Sequence, residues 1–154
     1  ILDELGLSAA MDALSNEFSE LTGIKVQVVT PKLKRLLPDN ISTTLYRVVQ
    51  ESLTNIQKHA KASNVVIELA VNQAWLTLTI CDNGKGFDTS ATMENQANLD
   101  EFGIGLRNLA ERIEYHSGVF KVTSTEKGTR VTAKIPKSCF ANYFNQTTKE
   151  KSND

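Results

Sequence analysis

Residues 79–88 read Thr79-Ile80-Cys81-Asp82-Asn83-Gly84-Lys85-Gly86-Phe87-Asp88, an apolar strand running into an acid and two alternating glycines. The strand reads back to Trp75, and its alternation puts Leu76, Leu78, Ile80 and Asp82 on one face, with Thr77, Thr79 and Cys81 on the other. Asp82 is therefore aimed the way the core is. A carboxylate delivered to the core side must be hydrogen-bonded or it costs roughly several kcal/mol, and once ionised it can only accept. A ligand carrying an amino group would satisfy it. Gly84 and Gly86 permit positive φ and allow backbone to come close to something flat or anionic, where a Cβ would obstruct. Taken alone, Asp-Asn-Gly also reads as a hairpin turn.

The next informative stretch lies upstream. A helix is predicted from Ile41 to about Ala60, capped by Asp39 or Ser42, with Leu45, Val48, Val49, Ser52, Leu53, Ile56 and Ala60 as its buried stripe. Glu51, Asn55 and Lys58, spaced four and three apart, form a second stripe beside the apolar face rather than opposite it. That placement suits the rim of a cleft, and it equally suits a salt-bridged surface. Earlier still, Ser8 is a candidate N-cap for a helix to about Thr22, with Met11, Leu14, Phe18 and Leu21 at helical spacing and Gly23 as its stop. Ile24 to Val29 reads as a strand, followed by an irregular connection marked by Pro31 and Pro38.

Strands are predicted at Asn64 to Val71 and Trp75 to Asp82, joined in a hairpin by Asn72-Gln73-Ala74. Asp88 to Phe102 is polar and lacks periodicity, a connection long enough to act as a lid. Gly103-Ile104-Gly105-Leu106 then opens a helix over Arg107 to His116 that Gly118 ends, and a Gly-x-Gly before a helix offers N–H groups at the positive dipole end, a seat for phosphate. Val119 to Thr125 and Thr129 to Ile135 read as a further strand pair around Glu126-Lys127-Gly128.

The 154 residues fit one domain. Seventeen basic against eighteen acidic side chains, with 40% hydrophobic and 6% aromatic residues, describe an ordinary soluble composition and argue against a nucleic-acid partner. Two cysteines, Cys81 and Cys139, are too few for a metal centre or a disulfide framework and point to a reducing, cytoplasmic compartment. No run approaches a membrane span. Because the first residue is Ile1 rather than methionine, the expectation is a piece of a larger parent, which could itself be membrane-anchored.

Taken in order, Glu51/Asn55/Lys58, Asp82 with Gly84 and Gly86, a long polar connection, Gly103/Gly105 and Gly128-Thr129 resemble the ATP-binding fold shared by sensor histidine kinases, DNA gyrase B, heat-shock 90 chaperones and MutL. The resemblance covers about Ile24 to Pro136. Glu51-Ser52-Leu53-Thr54-Asn55-Ile56-Gln57-Lys58-His59-Ala60 looks like the N box of the nitrate/nitrite-sensor-like kinases, Asp82 to Phe87 like their G1 box and Gly103 to Leu109 like their G2 box. The resemblance implies an α/β two-layer sandwich, with a mixed, mostly antiparallel sheet, helices on one face and an ATP lid. Residues 1–22 would be the linker or end of a dimerisation region, 23–137 the ATP-binding catalytic domain and 138–154 a polar tail.

It also implies roles that the side chains can chemically perform. Asp82 would accept from the exocyclic amino group of adenine, where guanine presents a carbonyl, and Thr129 would support the same edge. Asn55 would supply an oxygen to Mg²⁺, Lys58 would lie by the phosphates and His59 would be structural or line the nucleotide. Gly84 and Gly86 would admit the nucleotide to the backbone, while Gly103, Ile104, Gly105 and Leu106 would hold the phosphates at the helix start. Glu51 would organise Mg²⁺ and its waters or polarise an attacking water, so Glu51 and Lys58 are the expected catalytic pair.

The resembling kinases phosphorylate a histidine on a dimeric helical domain, and neither His59 nor His116 suits that role. The expectation is thus a monomeric, ATP-binding catalytic domain that does not autophosphorylate alone, works with the phosphoacceptor domain of a homodimeric parent, and feeds a response regulator. A water-attacking ATPase, supported by Glu51, and an interaction module with a degenerate pocket are the alternatives on the same fold; a serine-directed anti-sigma kinase is a further relative.

Overall fold

The computed structural model describes residues 2–31, 37–85 and 104–139. Along these residues run α1 (Leu2–Thr22), β1 (Lys25–Val29), α2 (Asp39–Asn55), a π-helical turn (Ile56–Ala60), β2 (Asn64–Val71), β3 (Trp75–Asp82), α3 (Ile104–Tyr115), β4 (Val119–Thr125) and β5 (Gly128–Pro136). The strands form one sheet in the order β1-β2-β3-β5-β4. Only β1 and β2 are parallel; the other three pairings are antiparallel, giving the mixed, mostly antiparallel sheet expected.

Alternation decides which side of the sheet is covered. Val65, Ile67 and Leu69 of β2, Leu76, Leu78 and Ile80 of β3, Phe120 and Val122 of β4, and Val131, Ala133 and Ile135 of β5 are buried. Their neighbours in sequence lie on the other face and are partly or fully exposed. All three helices supply the opposing layer, α2 with Ile41, Leu45, Val48, Val49 and Leu53, α1 with Leu7, Met11 and Phe18, and α3 with Leu106, Leu109 and Ile113. This is a two-layer sandwich with helices on one face, and Asp82 continues the covered face at 9% exposure.

Several local expectations need correction. The first helix starts before Ser8 and is broken at Gly6, whose φ of 76° and ψ of 171° are outside the helical region, so the glycine rather than a serine cap makes the boundary. Leu21 is 78% exposed, because periodicity identifies the inward face but not how far along the helix the neighbouring layer extends. Neither Asp39 nor Ser42 caps α2. Pro38 precedes it, its carbonyl accepting from Ile41 and Ser42 N–H, and Ser42 is buried one turn inside.

The predicted helix to Ala60 is α-helical only to Asn55 and then widens into the π turn, which ends at Lys61 in the left-handed region. At its start α3 includes Ile104 and Gly105, which the sequence places before the helix. Its stop is a Schellman closure with Ser117 N–H on the Glu114 carbonyl at 2.9 Å and Gly118 N–H on that of Ile113 at 2.8 Å. The left-handed residue there is Ser117, at φ 60°. Gly118 serves a different need, since a Cβ would run into the Lys134 carbonyl.

The hairpin over Asn72 forms as expected: its Oδ1 accepts from Ala74 N–H at 2.9 Å and Trp75 N–H at 2.8 Å.

Candidate functional site

The end of β3 brings its acid to the seam between the sheet and the helices. Asp82 Oδ1 accepts the backbone N–H of Gly84 at 2.8 Å, and the Thr129 N–H also donates to the carboxylate. Burial pushes the carboxyl above its ordinary value, and those two N–H groups partly offset the effect. Asp82 is thus buried and held by two donors, with acceptor capacity remaining for a third.

Its neighbours across the sheet are closely fitted. Cys81 pairs with Arg130, which puts Thr129 opposite Asp82 just beyond the ladder. Gly128, at φ 139°, lies against the Asp82 carbonyl, where a Cβ would strike backbone. The Thr129 hydroxyl meets Ser124 Oγ at 2.9 Å, both side chains being buried, and the two residues are register partners in the β4–β5 hairpin. Ser124 escapes a reading by motif, although counting back across the Glu126-Lys127-Gly128 turn would have found it.

Asn83, the second residue of the quoted acid-glycine segment, turns out to be architectural. Its Oδ1 accepts from the N–H groups of Ser63 at 3.0 Å and Asn64 at 2.9 Å, and its Nδ2 donates to Ser63 Oγ at 2.9 Å. These bonds tie the start of β2 to the end of β3.

On the helix layer, Glu51 and Asn55 are both partly buried and sit one turn apart on α2. The Asn55 amide nitrogen is buried without a hydrogen-bond partner, an arrangement that typically costs about 1–3 kcal/mol unless something is supplied. Lys58 and His59 ride on the π turn and are exposed. A π turn shifts the azimuth of the residues after it, so Lys58 does not continue the Glu51–Asn55 stripe at the helical angle the sequence implies.

α3 brings Gly105 to the Glu51 carboxylate: a Cβ on this glycine would be 2.6 Å from Glu51 Cδ. Ile104 begins α3, Leu106 is fully buried beneath it, and Gly84 is buried beside Asp82. Gly86, Gly103, the segment 88–102 expected as a lid and the tail from 140 onward lie outside the described residues.

Two clefts are lined by described residues. One of about 270 Å³ is lined by Asp82, Gly128 and Thr129 together with Cys81, Thr123, Thr125, Lys127 and Arg130. The other, of about 410 Å³, lies between the start of α2 and the end of α3, at Asn40, Thr43, Arg112 and Tyr115. Neither contains Glu51 or Asn55. Among the described residues no group of three or more His, Cys, Asp or Glu side chains could hold a metal ion. No described helix is long and apolar enough to cross a membrane.

Residues 40–138 match the family described as histidine kinase-, DNA gyrase B- and HSP90-like ATPase. The sensor histidine kinase MctS of Rhizobium johnstonii is 38% identical over 139 residues, which are 90% of this chain and 29% of MctS. The histidine-protein kinase/phosphatase DegS of Brevibacillus brevis is 35% identical over 136 residues, 88% of this chain and 33% of DegS. The chain therefore spans about a third of the length of the curated relatives it matches.

Among solved structures, the histidine kinase domain of the blue-light activated kinase of Erythrobacter litoralis matches with a TM-score of 0.66 and 24% identity, covering 84% of this chain and 60% of that one. The ATP-binding domain of PrrB from Mycobacterium tuberculosis matches with a TM-score of 0.66 and 20% identity, covering 84% and 93%. At these identities the structures show a shared fold.

Proposed function

This chain belongs to the histidine kinase-, DNA gyrase B- and HSP90-like ATPase family, and from that premise we propose that it is the catalytic, ATP-binding part of a sensor histidine kinase. In this reading it holds Mg·ATP between the Asp82 corner and the start of α3, and presents the γ-phosphate to a histidine on another domain of the parent. The sensor histidine kinases among its relatives support that choice.

The observation that carries the reading is the buried Asp82 carboxylate, which accepts from Gly84 and Thr129 and retains acceptor capacity on the covered face of the sheet. An amine donor from adenine would complete its shell, whereas the carbonyl of guanine would face a like partial charge. Thr129, with its hydroxyl set by Ser124, borders the same edge. Gly105 and the α3 start offer N–H groups to phosphate oxygens, and Lys58, exposed on the π turn, is a cation within the same helical layer.

Mg²⁺ fits the oxygen chemistry at hand. Asn55, turned about its last side-chain bond, offers its amide oxygen from a position that is otherwise unsatisfied, and Glu51 offers a carboxylate one turn before it. In this reading the ion is held mainly by phosphates and water rather than by a protein cage. When bound, the ion would supply charge neutralisation for the phosphates. Asn55 and Glu51 would orient its inner waters.

The parent's phosphoacceptor domain, its homodimeric state, the response regulator that follows and a cytoplasmic setting belong to the same proposal, as do the domain limits at 23 and 137. The isolated chain is expected to be a monomer without autophosphorylation. Calorimetric titration with ATP and GTP, each with and without Mg²⁺, on the wild type and on Asp82→Asn is the direct test. ATP-selective binding that the variant loses supports the reading, and a well-folded wild type that binds neither nucleotide rejects it.

A further inference from the structure

Gly105 has no room for a side chain, and the obstruction is of one kind. The three atoms nearest a Cβ built there are Cδ, Oε1 and Oε2 of Glu51, at 2.6, 2.8 and 2.8 Å. At Gly118 and Gly128 a Cβ would instead strike backbone, that of Lys134 and of Asp82. Glu51 is a partly buried residue of α2, and Gly105 is the second residue of α3. The carboxylate is thus seated on α3 where only hydrogen leaves space, at the helix end whose N–H groups favour negative charge. One turn further along α2 is Asn55, whose amide nitrogen is buried without a partner.

We infer that Gly105 is a positioning residue for Glu51: the glycine is required at this point of α3 to seat the Glu51 carboxylate, not only to bring backbone close to phosphate. The inference rests on the proposed function for what Glu51 does, and on geometry alone for where Glu51 sits. A methyl group at position 105 would displace the far end of a flexible side chain rather than the helix backbone. The fold would survive, since alanine is the better helix former, and Glu51 would be turned away from the site.

The test uses the present chain in four forms: wild type, Glu51→Ala, Gly105→Ala and the double variant. Nuclear Overhauser contacts between the Glu51 γ protons and the Gly105 α protons are expected in the ligand-free wild type. In Gly105→Ala the amide spectrum away from this seam is expected to persist. ATP affinity is then measured with and without Mg²⁺. Glu51→Ala is expected to cut the gain that Mg²⁺ gives by about tenfold or more, Gly105→Ala to cut it to a similar degree, and the double variant to be less than about twofold worse than Glu51→Ala.

Absence of the contacts in the wild type overturns the inference whatever nucleotide does. So does a Gly105→Ala loss of the same size in the wild-type and Glu51→Ala backgrounds, which would mean that the methyl group meets the phosphates directly. A wild type that shows the contacts yet binds no ATP would reject the proposed function while upholding the seating of Glu51 on Gly105.

Discussion

The Asp82 carboxylate accepts the N–H of Gly84, two residues further on, at 2.8 Å, so the acid that ends β3 also shapes the turn that follows it. The same group receives the Thr129 N–H from the neighbouring strand. Asp82 is therefore held by the sheet on one side and by its own loop on the other, which gives it a fixed direction. For Asp82→Asn, ATP affinity is expected to fall by about tenfold to a hundredfold, the loss of one charge-assisted bond, with the preference over GTP narrowing. Titration calorimetry reads both quantities; an unchanged ATP preference would remove Asp82 from the adenine-reading role.

A pH dependence follows from the upward shift of this carboxyl, which burial causes. The folded state holds the proton more tightly than the unfolded chain, so Asp82 contributes negatively to stability above its folded pKa. That penalty is relieved as pH falls through the folded pKa toward the ordinary carboxylate value. Melting temperatures of wild type and Asp82→Asn, followed across that range, should show the wild type gaining on the variant as the solution is acidified. ATP binding should weaken over the same interval, because it is the ionised acid that accepts from adenine.

The Ser124–Thr129 hydroxyl pair, at 2.9 Å, predicts coupling between β4 and the Asp82 edge. Ser124→Ala is expected to cost about 1–2 kcal/mol by leaving a buried hydroxyl short of a partner. Thr129→Val should cost a similar amount, and the double variant less than the sum. Urea unfolding of all four proteins checks this, and strict additivity would mean that the pair contributes nothing as a pair.

Gly128→Ala should be among the most damaging single substitutions in the sheet. Its φ of 139° is disfavoured for alanine, and the new methyl would run into the Asp82 carbonyl, which the β2–β3 ladder holds in place. A loss of about 3 kcal/mol or more is expected in chemical denaturation. The contrast with Gly105→Ala, where a flexible carboxylate stands in the way, is a check on both, since a similar loss at the two positions would contradict the difference in what a Cβ meets.

Asn83→Ala removes a side chain that joins Ser63 and Asn64 to the end of β3. These bonds are exposed to water, so the expected cost is nearer 1 kcal/mol than the figure for a buried network. The readout is faster amide exchange at Ser63 and Asn64, with little change at Leu78 or Ile80 in the middle of β3; equal acceleration at both places would show global rather than local loosening.

Much of this molecule is legible in one dimension. Alternation from Trp75 to Asp82 identifies both the strand and the inward aim of its acid, because side-chain direction along a strand has period two whatever it packs against. Helical spacing identifies the inward stripe of α2 for the same reason, and Asn72 announces its hairpin through a side chain that bonds only to nearby backbone. The order of the N-box-like, G1-like and G2-like segments points to the family before any coordinate is known. Each of these signals is local, or is a matter of order along the chain.

Tertiary structure decides what depends on two distant segments meeting. Glu51 and Gly105 touch only because α2 and α3 pack side by side, and Gly128 and Thr129 reach Asp82 only through the β3–β5 register. The π turn that shifts Lys58 from the stripe, and the exposure of Leu21, are likewise not readable from helical spacing alone. A sequence alone specifies the direction in which a residue leaves its own element, through backbone periodicity. Which atom it meets there is set by how the elements pack, because distances between segments far apart in the chain are fixed by the core they share.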